Sequence, residues 1–350
     1  MKKRIDWIDI VRAMGMFLII MGHTLEGYTY SIVGKLIFAV HVPVFFVLSG
    51  YLYKEKPVKK VFKSGNVNLL LPYLATLLIV VIITRFNFIF PNWIYKLDMH
   101  NFLISAFYGS GTNLNPFWDK SLTINAIGAI WFLLAMYFGN IIFNILIKSS
   151  RGNLFVSGVV ATAITFGGFY LSDMGILLPW SLNAAMASQL FYYGGYLIRK
   201  FDLIEKYGIS GSIVGIALWM ISAQSGFLYL NTAHADSPIL AVLGGIGGSF
   251  SLMYLAKLLC ETKLNLDAVK YYGQMSLIVL CVHLIDLNTC AISGKIYENL
   301  IQTTGDQIIA VSMEILYRFL LTVVGIIVIP RLPIVRSFYL NRVYPFWAKK

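Results

Sequence analysis

The amino-acid sequence predicts an all-α, polytopic integral membrane protein with about ten transmembrane helices and both termini in the cytoplasm. Composition is the first reason: 58% of the 350 residues are hydrophobic and 13% are charged, about half the charged fraction of a soluble domain. Apolar runs of about 20 residues, the length that crosses a bilayer core, recur along the whole chain. Basic residues are concentrated on one side of those runs. These observations exclude an ordinary soluble fold, intrinsic disorder and a collagen-like repeat.

The spans follow from the apolar runs. They lie near residues 7–27, 30–53, 68–90, 124–147, 154–172, 184–199, 211–230, 238–260, 274–293 and 308–330. The stretch 98–118 is apolar but interrupted by Gly and Asn, which favours an interfacial or re-entrant piece in a long loop. Asp9 and Arg12 interrupt the first apolar run, so we expect a retained helix rather than a signal peptide. No change in composition marks a second domain, and residues 1–350 are predicted to form one membrane-embedded domain.

The charge balance predicts the orientation. The formal net charge is +12, from 28 Lys and Arg against 16 Asp and Glu. With a cytoplasmic amino terminus, twenty-one basic residues lie inside, four lie within spans, and only Lys96, Lys120 and Lys295 lie outside. This asymmetry follows the positive-inside rule and requires an even number of spans. The basic excess therefore indicates topology and contact with membrane lipid, and we expect no nucleic-acid partner.

The first helix carries the richest set of polar residues. Ionisable groups inside a span cost several kcal/mol, so each is a candidate for function. At 100° per residue, Arg12 and His23 differ by about 20° and are separated by ~16 Å along the axis. Asp9 and Glu26 fall within about 60° of the same direction. The spacing therefore predicts one polar stripe, with Arg12 near the cytoplasm and with His23 and Glu26 towards the outer side.

Simpler interpretations of these residues remain open at this point. Asp9 and Arg12 also fit a structural i,i+3 ion pair, and His23 also fits a hydrogen-bonded packing histidine. Glu26, three residues after His23, would hold the imidazole in one tautomer and raise its basicity, as a general base requires.

Further polar and aromatic residues are weaker candidates for a shared cavity. They are His41, Ser49, Tyr51, Trp131 and His283. Ser49 precedes Gly50, a pair that also marks a close helix approach. Glu314 and Arg318 have i,i+4 spacing and predict a structural ion pair inside the last span. No residues have the spacing of a metal site, and Cys260, Cys281 and Cys290 predict neither metal binding nor disulfides.

Four motifs occur in order along the chain. They are Asp9 and Arg12 with His23 after ten intervening residues; Pro43, Phe45, Phe46, Ser49 and Gly50; Trp131 and Phe132; and Gly273, Ser276 and His283. In this order, across ten predicted spans, they resemble the integral-membrane acyltransferase-3 family. The resemblance covers essentially the whole chain and is to the short members without an extracytoplasmic esterase-like domain.

The resemblance implies an O-acyltransferase, most simply an O-acetyltransferase, in a bacterial plasma membrane. Cytoplasmic acyl-CoA, usually acetyl-CoA, would be the co-substrate, and a hydroxyl of a cell-surface or lipid-linked glycan would be the acceptor. Arg12 with Asp9 would bind the donor, and His23, oriented by Glu26, would be the general base. Transient acylation of His23 is a less favoured variant. No permanently bound cofactor is implied.

A proton-coupled secondary transporter or flippase for a glycan or an anionic substrate is the alternative. Buried Arg, Glu and His residues in many spans are also typical of such carriers. However, the sequence has no internal repeat and no matching pair of broken helices in two halves. The acyltransferase interpretation is therefore preferred, while the acceptor sugar and the acyl group stay open.

Overall fold

The computed structural model describes residues 5–116 and 118–347. In the first half of this described chain the helices are α1 (Asp6–Gly22), α2 (Ile32–Val40), α3 (Pro43–Tyr51), α4 (Val58–Gly65), α5 (Leu71–Arg85), α6 (Met99–Tyr108), α7 (Trp131–Ser149) and α8 (Leu154–Asp173). In the second half they are α9 (Leu182–Ala187), α10 (Gln189–Lys200), α11 (Leu203–Ser225), α12 (Pro238–Glu261), α13 (Asp267–Gln274), α14 (Ser276–Thr289), α15 (Ile292–Thr304), α16 (Gln307–Val328) and α17 (Val335–Tyr339). The antiparallel strands β1 (Leu228–Tyr229) and β2 (His234–Ala235) form one small hairpin.

Several short elements complete this framework. A π-helical turn, Asn66–Leu70, joins α4 to α5. Short 3-10 turns lie at Glu26–Tyr28, Phe86–Phe88, Pro179–Ser181 and Ile329–Arg331. The helical fold class predicted from composition is confirmed, since helices make up most of the described chain.

Seven helical segments of the described chain are long and apolar enough to cross a membrane. They are Ile32–Tyr51, Val58–Phe88, Trp131–Ser149, Leu154–Asp173, Leu203–Ser225, Pro238–Glu261 and Gln307–Arg331. Each corresponds to one predicted span, so the chain has the helices of a multi-pass membrane protein.

The three other predicted spans are shorter or broken. For 7–27 the helix is α1, with 17 residues; for 184–199 the chain forms α9 and α10, which meet at Ser188. For 274–293 it forms α13 and α14, bent by 68°, and this pair raises the number of candidate spans to eight if it is taken as one. The total of ten and the side of each terminus stay predictions. Five basic residues used in the charge balance, Lys2, Lys3, Arg4, Lys349 and Lys350, lie outside the described residues.

Two span boundaries differ from their predicted positions for clear physical reasons. The third span begins at Val58 rather than near residue 68, because an amphipathic turn with exposed lysines continues the helix beyond its apolar part. The second is divided between α2 and α3, because Pro43 has no amide proton to continue the hydrogen-bond ladder and instead opens α3. The predicted piece in the loop 98–118 contains α6, a helix of ten residues.

Helix α1 occupies the centre of the bundle, in contact with α2, α3, α12, α13, α14 and α16. Glycines allow the closest approaches around it. A Cβ atom at Gly273 would collide with the Asp9 carbonyl, so this glycine lets α13 lie directly on the backbone of α1. A Cβ at Gly50 would collide in the same way with the Tyr192 carbonyl, where α3 crosses α10. The close approach that Ser49–Gly50 can mark is therefore present.

Candidate active site

Helix α1 supplies three of the predicted site residues at two different depths. Asp9 and Arg12 lie in its first turns, with Arg12 Nη1 3.2 Å from Asp9 Oδ1. His23 caps the carboxyl end, where its amide donates to the Ile19 carbonyl. Since an α-helix rises about 1.5 Å per residue, Arg12 and His23 are ~16 Å apart along the axis. The helix therefore joins two separate polar regions.

The first region is a cavity of about 610 Å³ around the amino-terminal end of α1. Asp9, Arg12 and Ser49 line it, and so does Arg342 from the segment that follows α17. The side chain of Asp9 is 2% exposed and that of Arg12 is 31% exposed. Two guanidinium groups in one cavity make it suited to an anionic group such as a phosphate.

The bend between α13 and α14 completes this cavity. Gly273 brings α13 against α1, and the 68° change of direction then turns Gln274 and Ser276 into the cavity wall. Asn68, from the π-helical turn, also lines the cavity. The motif residues Gly273 and Ser276 thus have distinct tasks, one in packing and one at the cavity surface.

The second polar region surrounds His23. Its ring lies 5.6 Å, centroid to centroid, from the ring of His283 on α14. His283 is 1% exposed, whereas His23 is exposed. Of the two rings, that of His23 is therefore accessible, and that of His283 is enclosed by the protein.

Helix α16 places a guanidinium beside the two histidines. Arg318 Nη2 donates to Glu314 Oε1 and to Ser293 Oγ, each at 2.8 Å. The charge of Arg318 acts electrostatically on both His23 and His283. The Glu314–Arg318 pair predicted from i,i+4 spacing is thus present as an ion pair, and it lies next to the histidines.

A second carboxylate lies on the other side of Arg318. Arg318 Nε is 4.0 Å from Asp286 Oδ2, and Tyr317 donates a hydrogen bond of 3.0 Å to Asp286 Oδ1. Asp286 is 2% exposed and lies one helical turn after His283. We call His283, Asp286, Glu314 and Arg318 the buried polar cluster, and the exposed His23 lies against it.

Several atoms of the buried polar cluster have no hydrogen-bond partner among the described residues. They are both ring nitrogens of His283, Asp286 Oδ2, Glu314 Oε2, and Nε and Nη1 of Arg318. Buried polar atoms in native proteins are rarely left unpaired, because desolvation without a replacement hydrogen bond costs free energy. Such a concentration of them is typical of a site that binds a ligand or performs chemistry.

The predicted position of Glu26 is wrong. Helix α1 ends at Gly22, and Glu26 belongs to a 3-10 turn, where it is exposed and has φ of 46°. Because the chain leaves the helix after His23, the 100° periodicity no longer applies and Glu26 is not on the stripe. Its charge acts on Glu314, and the ring contact of His23 is with His283.

The weaker candidates lie in different parts of the structure. His41 lies close enough to His23 for an electrostatic interaction, and its Nδ1 is 3.0 Å from the Ile37 carbonyl. Tyr51 packs edge-on against Trp7 and lies under the Arg199 guanidinium, outside the cavity lining. Trp131 is likewise absent from that lining; it is 6% exposed and packs edge-on against Phe132.

Sequence reasoning missed some members of both regions. In the sequence, Arg342 is only one of the basic residues that set orientation, and its position after the last span gives no further signal. Asp286, Ser293 and Tyr317 lack a motif of their own; only the short distance from His283 to Asp286 along the chain was visible. In the described part of the chain, no three His, Cys, Asp or Glu side chains are arranged to hold a metal ion.

Comparison with known proteins adds an independent observation. A family model described as an acyltransferase domain matches residues 5–330, nearly the whole chain. The chain belongs to the acyltransferase-3 family. No curated protein and no solved structure is detectably similar to it. The resemblance found in the four motifs is therefore confirmed, and the protein has an acyltransferase-family role.

The motifs of this acyltransferase converge on α1 from distant parts of the sequence. Ser49 and Phe45 line the cavity beside Arg12, as does Phe132 from the motif at the start of α7. His283 closes the other polar region beside His23. Residues of these motifs thus lie next to α1 in the structure.

Proposed function

We propose that this protein transfers an acyl group, most simply acetyl, from acyl-CoA to a hydroxyl of a cell-surface or lipid-linked glycan. The observation that carries the proposal is the arrangement along α1, with a cationic cavity at one end and paired histidines at the other. The family match supports acyl transfer as the type of reaction. The cavity end of α1 would bind the acyl donor, and the histidine end would meet the acceptor.

The cavity is the proposed donor site. CoA carries phosphate groups, and the guanidinium groups of Arg12 and Arg342 are fixed, planar partners for phosphate oxygens. Asp9 would hold Arg12 in position through its 3.2 Å contact. By the positive-inside rule this end faces the cytoplasm, where acyl-CoA is found.

The distance between Arg12 and His23 supports the same assignment of donor and acceptor sites. An extended pantetheine arm has the length needed to cover the ~16 Å between Arg12 and His23. With the CoA phosphates at Arg12, the thioester would reach the region of His23. The acyl group could then meet an acceptor from the opposite side while CoA stays in the cytoplasm.

His23 is the proposed general base. It would accept the proton of the acceptor hydroxyl as that oxygen attacks the thioester carbonyl, and later return the proton to the CoA sulfur. Its exposure, in contrast to the burial of His283, suits contact with a substrate. Glu26 lies outside the helix, and the ring that contacts His23 is that of His283.

A row of aromatic rings supports a saccharide acceptor. At the end of the bundle opposite the cavity, Phe227 stacks on Tyr229 at 4.3 Å and contacts Phe38 at 4.6 Å. Phe38 in turn lies 4.7 Å from His41. Tyr30, 70% exposed, extends this row to the surface. The apolar face of a sugar ring packs well on such side chains, which would guide a glycan towards His41 and His23.

The test is acetyl transfer by the purified protein in detergent. Labelled acetyl-CoA is supplied with lipopolysaccharide, peptidoglycan fragments or de-O-acetylated polysaccharide, and wild type is compared with His23→Ala. We expect label on one class of glycan with wild type and a loss of at least a hundredfold with His23→Ala. Undiminished transfer by His23→Ala would contradict the base assignment. Glycan uptake into liposomes without acyl-CoA would instead favour a transporter.

A further inference from the structure

The side chain of Arg318 has buried nitrogens that its ion pair with Glu314 does not use. The residue is 6% exposed, and one nitrogen, Nη2, makes both of its short hydrogen bonds, to Glu314 and Ser293. Nε and Nη1 are buried and without a partner among the described residues. A guanidinium used only as a structural cation would be expected to pair its buried donors, because unpaired ones cost free energy.

The unpaired side of Arg318 belongs to the same region as the two histidines. The Arg318 charge acts on His23 and on His283, whose rings are 5.6 Å apart. Both nitrogens of His283 are also without a hydrogen-bond partner among the described residues, and His23 is exposed. Free donors beside a base are what the addition of a nucleophile to a carbonyl requires, because negative charge develops on the carbonyl oxygen.

We propose that Arg318 is a catalytic residue whose Nη1 and Nε donate hydrogen bonds to the carbonyl oxygen of the acyl thioester. This inference rests on the proposed function, since it assigns a second group to the same acyl transfer. Arg318 binds the carbonyl oxygen most strongly when that oxygen is negatively charged. It therefore stabilises the tetrahedral intermediate more than the bound substrate.

The reaction balances without any further reagent. The acceptor oxygen forms a bond to the thioester carbon as His23 takes the hydroxyl proton, and the carbonyl π electrons move to the oxygen held by Arg318. When that electron pair returns, the carbon–sulfur bond breaks. The CoA sulfur leaves with the bonding electrons and receives the proton from His23, which restores the base and yields the ester and free CoA.

Glu314, Ser293 and Asp286 are positioning residues in this scheme. Glu314 and Ser293 hold Nη2, which fixes the plane of the guanidinium and directs Nη1 away from them. Asp286, held by the Tyr317 hydroxyl, lies 4.0 Å from Nε, beyond hydrogen-bond distance. The guanidinium is thus held by Glu314 and Ser293, while Nη1 and Nε have no hydrogen-bond partner among the described residues.

The experiment separates catalysis by Arg318 from a structural ion pair. Single variants Arg318→Gln and Glu314→Gln are compared with the double variant, which removes both members of the 2.8 Å ion pair and therefore leaves neither of these two charges without the other. Arg331→Gln, at an exposed position, is the matched control. For each purified protein we measure thermal unfolding, the Kd of acetyl-CoA, and kcat and KM for transfer of labelled acetyl to the glycan that wild type modifies.

The two roles predict different results. If Arg318 stabilises the oxyanion, the double variant unfolds near the wild-type temperature and binds acetyl-CoA with an unchanged Kd, while its kcat falls by about 10²–10³. Glu314→Gln alone then lowers kcat by less than Arg318→Gln does, because the guanidinium is still present but is held less firmly. A folded double variant with wild-type kcat would overturn the proposal. So would a Glu314→Gln variant that loses as much kcat as Arg318→Gln.

The reference variant His23→Ala keeps this test distinct from that of the proposed function. If wild type transfers no acetyl, or if His23→Ala transfers as well as wild type, the proposed function or its base assignment fails irrespective of Arg318. If His23→Ala is inactive but the folded double variant is fully active, only the role of Arg318 fails.

Discussion

The rings of His23 and His283 lie 5.6 Å apart, although the residues come from the first helix and from a helix near the end of the chain. His283 is 1% exposed and has no hydrogen-bond partner at either ring nitrogen among the described residues, whereas His23 is exposed. The two imidazoles are therefore not equivalent. One ring is exposed and the other is enclosed by the protein.

The first prediction concerns this pair of histidines. Replacing His23 by Gln should lower kcat by about 10²–10⁴, because a general base contributes that much. Replacing His283 by Gln should act mainly on the KM for the glycan acceptor and leave the Kd of acetyl-CoA unchanged. Steady-state transfer kinetics with both substrates varied will separate these effects.

The control for the histidines is His100→Gln, at an exposed position in α6. It should leave both kinetic constants unchanged. If His283→Gln lowers kcat as much as His23→Gln without raising the acceptor KM, the different tasks assigned to the two rings are wrong.

The second prediction concerns donor binding in the cavity. Arg342→Ala should weaken acetyl-CoA binding by about tenfold to a hundredfold, since hydrogen bonds to charged groups contribute about 1.5–3 kcal/mol. For Arg12, the variant Arg12→Gln is made together with Asp9→Asn, so that no buried carboxylate is left unpaired. Its effect should be of similar size, measured by equilibrium binding of labelled acetyl-CoA.

The exposed Arg331 is the matched control for donor binding. Its replacement by Ala removes one positive charge from the same segment of the chain without touching the cavity. If Arg331→Ala weakens binding as much as Arg342→Ala, the effect is general electrostatic attraction, and the cavity assignment of Arg342 does not stand.

The third prediction concerns packing between α3 and α10. Gly50→Ala should destabilise the protein by about 1–3 kcal/mol or more, because the added methyl group collides with the Tyr192 carbonyl, which belongs to rigid backbone. Gly294→Ala is the control, since no atom lies within 4 Å of a Cβ built there. Thermal unfolding in detergent should show a lower midpoint for Gly50→Ala and an unchanged or higher one for Gly294→Ala. Equal midpoints would argue against the close crossing.

The fourth prediction concerns orientation. Single cysteines are introduced at the exposed positions Lys96 or Lys263 in a chain whose three native cysteines are replaced by Ala. A membrane-impermeant maleimide should label Lys96→Cys in intact cells and Lys263→Cys only after lysis, because the positive-inside rule places them on opposite sides. The reverse pattern would invert the topology and place the cavity of Arg12 and Arg342 away from cytoplasmic acyl-CoA.

Most of the span positions could be read from the sequence, because a lipid environment demands long apolar helices and little else locally. Seven predicted spans have matching long helices. The exceptions lie where polar or helix-breaking residues interrupt the pattern, as at Ser188 between α9 and α10. Apolar content does not distinguish a straight span from a bent one, so the 68° bend before α14 was invisible in the sequence.

The sequence by itself identified Asp9, Arg12 and His23 on one helix, since helical periodicity fixes which residues share a face over a short distance. It also identified the family, because the order of the four motifs can be recognised without knowledge of the fold. Only the tertiary structure ended α1 before Glu26, brought His283 and Arg318 to His23, and added Arg342 to the cavity beside Arg12. The physical reason is that local pattern determines each helix, whereas glycine contacts, bends and buried polar pairs between helices determine which of their faces meet.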